Sequence, residues 1–310
     1  MSKVKIDYHT QHSHFINGEK YQPNNGSEVY HIINPTNLEK LNTVVLDDII
    51  SVDIAVESSK LAFIKWSKLA MHKRVQLLIN WYTWIKNHQN EFIELITLEN
   101  GKPKSDATGE FIRGLEVLQY AISLQPLTSG KHAKVNHNIS IHSVKEPLGV
   151  CVGICPFNFP FMIPMWTIPI AIALGNTIII KPSEKVPSCL TLLAEGAILS
   201  GINPGVINLV QGGVAVVNKL IEHKDTKAIT FVGSTHIGHQ IHNLASIHRK
   251  KVQCNMGAKN HAVITPNSDL NTAVNAIVGA AFGGAGQRCM AISVVIIVGN
   301  NSEFIKKLKQ

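Results

Sequence analysis

The sequence predicts an α/β protein centred on a Rossmann-type parallel sheet with helices on both faces. Three observations lead there. From residue 148 onward, short apolar runs alternate with amphipathic stretches, which is the texture of βαβ units. The runs recur at intervals of about 25 residues, leaving room for one helix between successive strands. Hydrophobic residues make up 45% of the 310 and charged ones 16%, too apolar for disorder and enough for a large core.

After a short extended start, residues 53–70 place Val56, Phe63 and Trp66 on one side at helical spacing. Residues 73–99 repeat the pattern as one long helix with Leu77, Leu78, Trp81, Trp84 and Ile85, and Gly101-Lys102-Pro103 supplies the stop. A further helix is expected over 105–124, carrying Arg113 among Phe111, Leu115 and Leu118. Residues 139–144 alternate and read as an exposed strand. Strands are then expected at 148–155, 177–181, 206–210, 228–232 and 251–254, with helices at 160–174, 186–200, 214–223 and 235–247. A glycine-rich helix end, Gly283-Gly284-Ala285-Gly286, leads to Gln287-Arg288-Cys289-Met290, then to a strand from Ala291 to Val298 and a helix from Ser302 to Gln310.

Several function classes are set aside. Lys and Arg number 29 against 21 Asp and Glu, a net charge of +8, but no basic stripe interleaved with aromatics marks a nucleic-acid surface. Pro147 to Ile180 holds no charged side chain until Lys181, yet Pro156, Pro160, Pro164 and Pro169 interrupt it, so it reads as buried core and not as a membrane span. Five cysteines without a CxxC pair, and a start with neither signal core nor transit pattern, indicate a reduced, cytoplasmic setting. His236, His239 and His242 recur on one helix without a nearby Cys or carboxylate and read as a solvated face, so no metal site is expected. His9, His12 and His14 read as a mobile tail.

In an open α/β sheet, ligand chemistry gathers at the carboxyl ends of the strands. After 148–155 comes Pro156-Phe157-Asn158-Phe159-Pro160, a turn that could aim an amide at an oxyanion or merely satisfy its own backbone. After 177–181 come Pro182, Ser183 and Glu184, read as opening a helix with Ser183 as its cap. Lys181, ending a buried strand, needs a partner. Gly233 and Ser234 stand between strand and helix, where free N–H groups suit a phosphate. Cys151, Cys155, Cys189 and Cys254 fit inert packing. Cys289 differs, because a basic neighbour and flexible glycines could expose and ionise it. The residues by themselves indicate a dinucleotide site and a candidate thiolate nucleophile.

The segments PFNFP, KPSE, FVGS, NMGAKN and GQRCMA occur together, in order and with sensible spacing. On them the chain resembles the aldehyde dehydrogenase superfamily from about Phe15 onward, and more closely its CoA-acylating methylmalonate-semialdehyde dehydrogenases. The resemblance implies an aldehyde-dehydrogenase-like fold. Residues 1–125 and 147–256 would form the NAD-binding domain, 126–146 an oligomerisation arm, and 257–310 part of an α/β catalytic domain. It implies Cys289 as nucleophile and Asn158, with the Cys289 N–H, as oxyanion donors. Phe157, Lys181, Glu184, Gly233 and Ser234 would bind NAD, the carboxylate of Glu184 disfavouring a 2′-phosphate. Arg113 and Arg288 would hold the carboxylate of a short acid aldehyde, in place of a solvated helix face for Arg113 and simple tuning of the thiol for Arg288.

Hydrolytic relatives carry a glutamate at Asn255. Asparagine cannot take a proton from water at neutral pH, whereas the CoA thiol ionises readily and attacks well. The implied reaction is oxidation of methylmalonate or malonate semialdehyde to propanoyl-CoA or acetyl-CoA with loss of carbon dioxide, NAD being the cofactor and CoA the co-substrate. The full-length form is expected to be a homo-oligomer. Family chains continue well past the nucleophile, so the sequence reads as truncated at its C-terminus. An inactive remnant that at most binds NAD is the first alternative, and a hydrolytic aldehyde dehydrogenase the second.

Overall fold

Continuous apolar runs, buried on both faces, make the centre of the main sheet. In the computed structural model, which describes residues 12–22, 28–46, 49–299 and 302–310, every residue of Val150–Ile154 and Thr177–Lys181 is buried. In chain order the elements are β1 (His14–Ile16), β2 (Glu19–Tyr21), β3 (Val29–Ile33), β4 (Lys40–Val45), α1 (Ile49–Trp66), α2 (Met71–Asn87), α3 (Gln89–Asn100) and α4 (Lys104–Ile122). Then come β5 (Lys131–Lys134), β6 (Ser140–Ser143), β7 (Val150–Ile154), α5 (Met162–Ala173), β8 (Thr177–Lys181), α6 (Ser188–Leu199), β9 (Ile207–Leu209), α7 (Val214–Glu222), β10 (Thr226–Val232), α8 (Thr235–Ile247) and β11 (Lys251–Asn255). The last are β12 (Asn260–Ile264), α9 (Leu270–Phe282), β13 (Ile292–Ile297) and α10 (Ser302–Leu308).

The chain divides into two units, residues 1–254 and 255–310. In the first, a seven-stranded sheet runs β11-β10-β7-β8-β9-β1-β2. Strands β10, β7, β8 and β9 are parallel, as the recurring apolar runs predict. One face is covered by α2 to α6, through Trp81, Phe92, Phe111 and Phe161. The other is covered by α1, α7 and α8, through Val52, Val56, Leu220 and Ile241. The uncharged stretch becomes β7, the twelve-residue α5 with Pro169 inside it, and β8. Among the described residues no helix is long and apolar enough to cross a membrane.

Three expectations are corrected. The histidine-rich start is not a loose tail where it is described: β1 pairs antiparallel with β9 through Phe15 and Leu209. His14 is fully buried, its Nδ1 accepting the N–H of Gln211 at 3.0 Å, and His12 Nε2 lies 2.9 Å from Ser188 Oγ. His9 falls outside the described residues. Residues 73–99 are not one helix but α2 and α3, parted at His88 (φ −106°, ψ 23°). No Gly or Pro stands there. Tertiary packing sets the break: α3 brings Phe92 to 5.8 Å from the Phe111 ring and 5.0 Å from that of Phe161. Finally, Ser183 does not cap a helix. Pro187 takes the cap position and α6 begins at Ser188, while Ser183 Oγ accepts the Lys185 N–H in a local turn at 3.3 Å.

Residues 131–143 form an antiparallel hairpin, β5 with β6, exposed along both strands. Only β6 was expected from the alternation. The second unit is built on parallel β12 and β13, with Ile264, Ile277 and Phe304 as its buried centre. Asp269 caps α9 by accepting the Thr272 N–H at 2.8 Å.

Candidate active site

In the first unit, the predicted residues stand just past the carboxyl ends of β7, β8 and β10. Asn158 is half-buried in a turn whose backbone is held from outside. Lys102 Nζ donates to the Asn158 carbonyl at 2.5 Å, and Asn100 Nδ2 to the Phe157 carbonyl at 2.8 Å. The Phe157 ring lies 5.0 Å beneath Lys185 Nζ.

Lys181, only 6% exposed, finds the partners its position demands. Its Nζ donates to the Gly212 carbonyl at 3.1 Å and stands 3.5 Å from Glu184 Oε2. Burial pulls its pKa below the usual lysine range, and Glu184 opposes that pull. Gly212 carries φ +147°, a backbone that favours glycine. Ser234 is the N-cap residue of α8, but its side chain makes no capping bond. Gly233 has a packing reason to be glycine as well, since a Cβ there would meet the Phe231 ring at 2.4 Å.

Arg113 lies on the open face of α4, its Nη1 3.0 Å from Glu116 Oε2 one turn along, with 73% of the side chain exposed. His236, His239 and His242 are exposed on α8. No three His, Cys, Asp or Glu side chains among the described residues stand together as a metal site.

In the second unit, Cys289 is exposed in the turn after α9. Gly284, Ala285 and Gly286 before it are all left-handed (φ 61°, 55° and 71°), which explains the glycine run. The Arg288 guanidinium occupies space that a Cβ on Gly283 would take, 2.6 Å away. Asn260, which the sequence reading did not single out, donates from Nδ2 to the carbonyls of Cys289 (2.8 Å) and Ala291 (3.0 Å). Asn255 ends β11 with its side chain exposed.

The other cysteines behave as the apolar-packing reading requires. Cys151, Cys155 and Cys189 are buried. Burial pushes Cys151 up to about 11 and Cys155 up to about 12, the latter against the pull of Lys181. It also holds Cys189 well above the thiol range. Cys254 is half-buried and raised by burial. Since the thiolate is the reactive form, brief iodoacetamide treatment of the native chain is expected to give one main adduct. Peptide mapping should place it on Cys289. Equal labelling of Cys151 or Cys155 would contradict their burial.

The aldehyde dehydrogenase family pattern matches residues 21–310, and the chain belongs to that family. It is 40% identical over 294 residues to malonate-semialdehyde dehydrogenase 1 of Geobacillus kaustophilus, covering 94% of this chain and 60% of the relative. It is 42% identical over 295 residues to the mitochondrial methylmalonate-semialdehyde/malonate-semialdehyde dehydrogenase [acylating] of Mus musculus, covering 95% of this chain and 55% of that protein. A Sinorhizobium meliloti 1021 crystal structure complexed with NAD, provisionally described as a methylmalonate-semialdehyde dehydrogenase, superposes with a TM-score of 0.94 at 38% identity. It covers 98% of this chain and 62% of that one. The chain therefore spans about 60% of the length of such relatives.

Proposed function

We propose that this chain carries the chemistry of NAD-dependent, CoA-acylating oxidation of methylmalonate or malonate semialdehyde to propanoyl-CoA or acetyl-CoA, with loss of carbon dioxide. The observation that carries the acylating reading is Asn255, a residue without basicity where hydrolytic relatives hold a carboxylate. The names of the relatives support the same substrate class.

The residues fit a dinucleotide. Lys181, already oriented by Gly212 and Glu184, can offer its ammonium to ribose hydroxyls while Glu184 accepts from them and repels a 2′-phosphate. The N-terminus of α8, with Ser234 free of capping duty and no Cβ on Gly233, suits a pyrophosphate. Phe157 supplies an apolar wall. NAD, when bound, accepts the hydride.

The protein's own work begins at Cys289, whose thiolate attacks the aldehyde carbon while Asn158 and the Cys289 N–H stabilise the oxyanion. Hydride departure leaves an acyl thioester on Cys289. For a 3-oxo acid this is a β-carboxy thioester: its bond to the carboxylate breaks to release carbon dioxide, and the enolate left behind takes a proton from solvent. The CoA thiolate then takes the acyl group by displacing the Cys289 thiolate. Arg113 and Arg288 pair with the substrate carboxylate, Arg113 exchanging Glu116 for the ligand. The β5–β6 hairpin, with Ile139, Ile141 and Val144 exposed, serves as the arm of a homo-oligomer. Free thiols throughout fit a reducing, cytoplasmic setting.

NADH formation from malonate semialdehyde, measured with and without CoA, tests the reading. A CoA-dependent signal abolished in Cys289→Ala is the expected result. Replacing both Arg113 and Arg288 should raise KM for the acid aldehyde and spare propanal, and equal losses on both substrates would overturn the carboxylate role. Turnover without CoA would favour hydrolysis. A folded chain that binds NAD without turnover would leave nucleotide binding as its only activity.

A further inference from the structure

The junction between α3 and α4 grips residues 157–162 one after another. Asn100 Nδ2 holds the Phe157 carbonyl at 2.8 Å. Lys102 Nζ holds the Asn158 carbonyl at 2.5 Å and lies 4.0 Å over the Phe159 ring. Glu110 Oε2 accepts from Lys102 at 2.5 Å. Its Oε1 accepts the N–H groups of Phe161 (2.9 Å) and Met162 (3.2 Å). The Lys102 and Glu110 side chains are 6% and 1% exposed.

An ion pair this deep is a poor device for stability alone, because desolvation offsets much of the attraction and apolar substitutes often do as well. Apolar contact is already supplied here. Phe111 of α4 stacks on Phe161 at 4.9 Å, and Gly114 lets that ring approach to where a Cβ would stand 2.4 Å away. What hydrogen bonds add is direction. The Phe157 carbonyl belongs to the peptide plane before the Asn158 Cα, and the Asn158 carbonyl to the plane after it. With both planes pinned, φ and ψ of Asn158 are set, and so is the direction of the Cα–Cβ bond from which its carboxamide extends, with χ1 left to choose among the rotamers that this backbone allows.

We propose that Lys102 and Glu110 are positioning residues that, with Asn100, fix the two peptide planes flanking Asn158 and thereby aim its side-chain amide. The catalytic consequence rests on the reading of Asn158 as oxyanion donor; the aiming itself does not. Lys102 touches the turn directly, and Glu110 acts through Lys102 and through the first turn of α5.

The test uses the full 310-residue chain with 15N-asparagine labelling, the Asn158 side-chain NH2 signal being assigned by its loss in Asn158→Ala. Lys102→Met strands the Glu110 charge, so this variant should lose stability as well as orientation. The double variant Lys102→Met/Glu110→Gln removes both charges and should recover most of the thermal midpoint. Its Asn158 signal should nevertheless stay displaced or broadened, because the bond from Lys102 to the Asn158 carbonyl is lost. Where turnover is measurable, its kcat should be lower by up to about 10²-fold, the scale of an ångström-sized misplacement, with KM for NAD little changed. If the signal and kcat return together with the midpoint, the pair is merely structural and the proposal is overturned. Asn100→Ala frees the other peptide plane without exposing a charge and gives the same reading if the double variant does not fold. An unshifted Asn158 signal in it would equally overturn the proposal. If Asn158→Ala itself leaves kcat intact, the oxyanion reading fails, while a displaced signal in the positioning variants still upholds the aiming.

Discussion

On the proposed reaction, Asn158→Ala is expected to lower kcat for acid-aldehyde oxidation by about 10²–10³-fold, the usual cost of one lost oxyanion donor. The folded state should change by no more than about 1 kcal/mol. The asymmetry follows from which atoms hold the turn. Lys102 and Asn100 bind the backbone carbonyls of Asn158 and Phe157, and Glu110 binds the N–H groups of Phe161 and Met162. All of these groups survive truncation of the Asn158 side chain. KM for NAD should be nearly unchanged, because the amide is proposed to meet charge that develops in the transition state. Steady-state NADH formation and thermal denaturation on one preparation decide the matter. A fall in midpoint that accounts for the lost activity would make the amide a structural group.

The same turn shows how far the sequence could be read. The motif placed Asn158 at a strand end, which the parallel order of β7, β8 and β10 bears out. The residues that hold it were illegible, because Glu110 is on another helix and Lys102 looked only like part of a helix stop. Their roles come from proximity created by α4 packing on α5. The long apolar runs of β7 and β8 are self-announcing, since a strand buried on both faces has almost no other composition. By contrast, β1 has three residues, one of them histidine, and its partner β9 lies far along the chain. The local signal for it, the Asn17-Gly18 turn that joins it to β2, marks a hairpin but not the distant partner. The break at His88 carries no Gly or Pro signal, and the late start of α6 follows from Pro187, whose position outweighed the capping chemistry of Ser183. The contrast between Cys289 and the other thiols was legible, because four cysteines stood in apolar runs or helices and one among glycines and a basic residue.

A pH experiment on the thermal midpoint addresses the polar string His12–Ser188–Glu99, in which Ser188 and Glu99 are buried and His12 is half-buried. Ser188 Oγ lies 2.9 Å from His12 Nε2 and donates to Glu99 Oε1, while Glu99 Oε2 accepts the Ser188 N–H at 3.2 Å. Burial pushes Glu99 up to about 7, against the two bonds from Ser188. Burial, helped by Lys20, pulls His12 down to about 4. The two shifts give opposite slopes. Glu99 binds its proton more tightly folded than unfolded, so its contribution is full below about 4.5 and is lost as pH rises to about 7. His12 releases its proton more readily when folded, so its contribution is full above about 6.5 and is lost as pH falls through about 4. Between these limits the slopes nearly cancel in the native chain. Removing one group should expose the other. Relative to the native chain, Glu99→Gln, the neutral isostere of the protonated acid, should gain stability as pH rises from 5 to 8, by roughly 2–3 kcal/mol. His12→Gln should lose the cost of neutralising the imidazole and gain relative stability as pH falls from about 6.5 toward 4. Both differences should vanish in the double variant. Parallel pH profiles for the native chain and Glu99→Gln would show that the buried carboxyl titrates normally, and the string would then be an ordinary hydrogen-bonded contact.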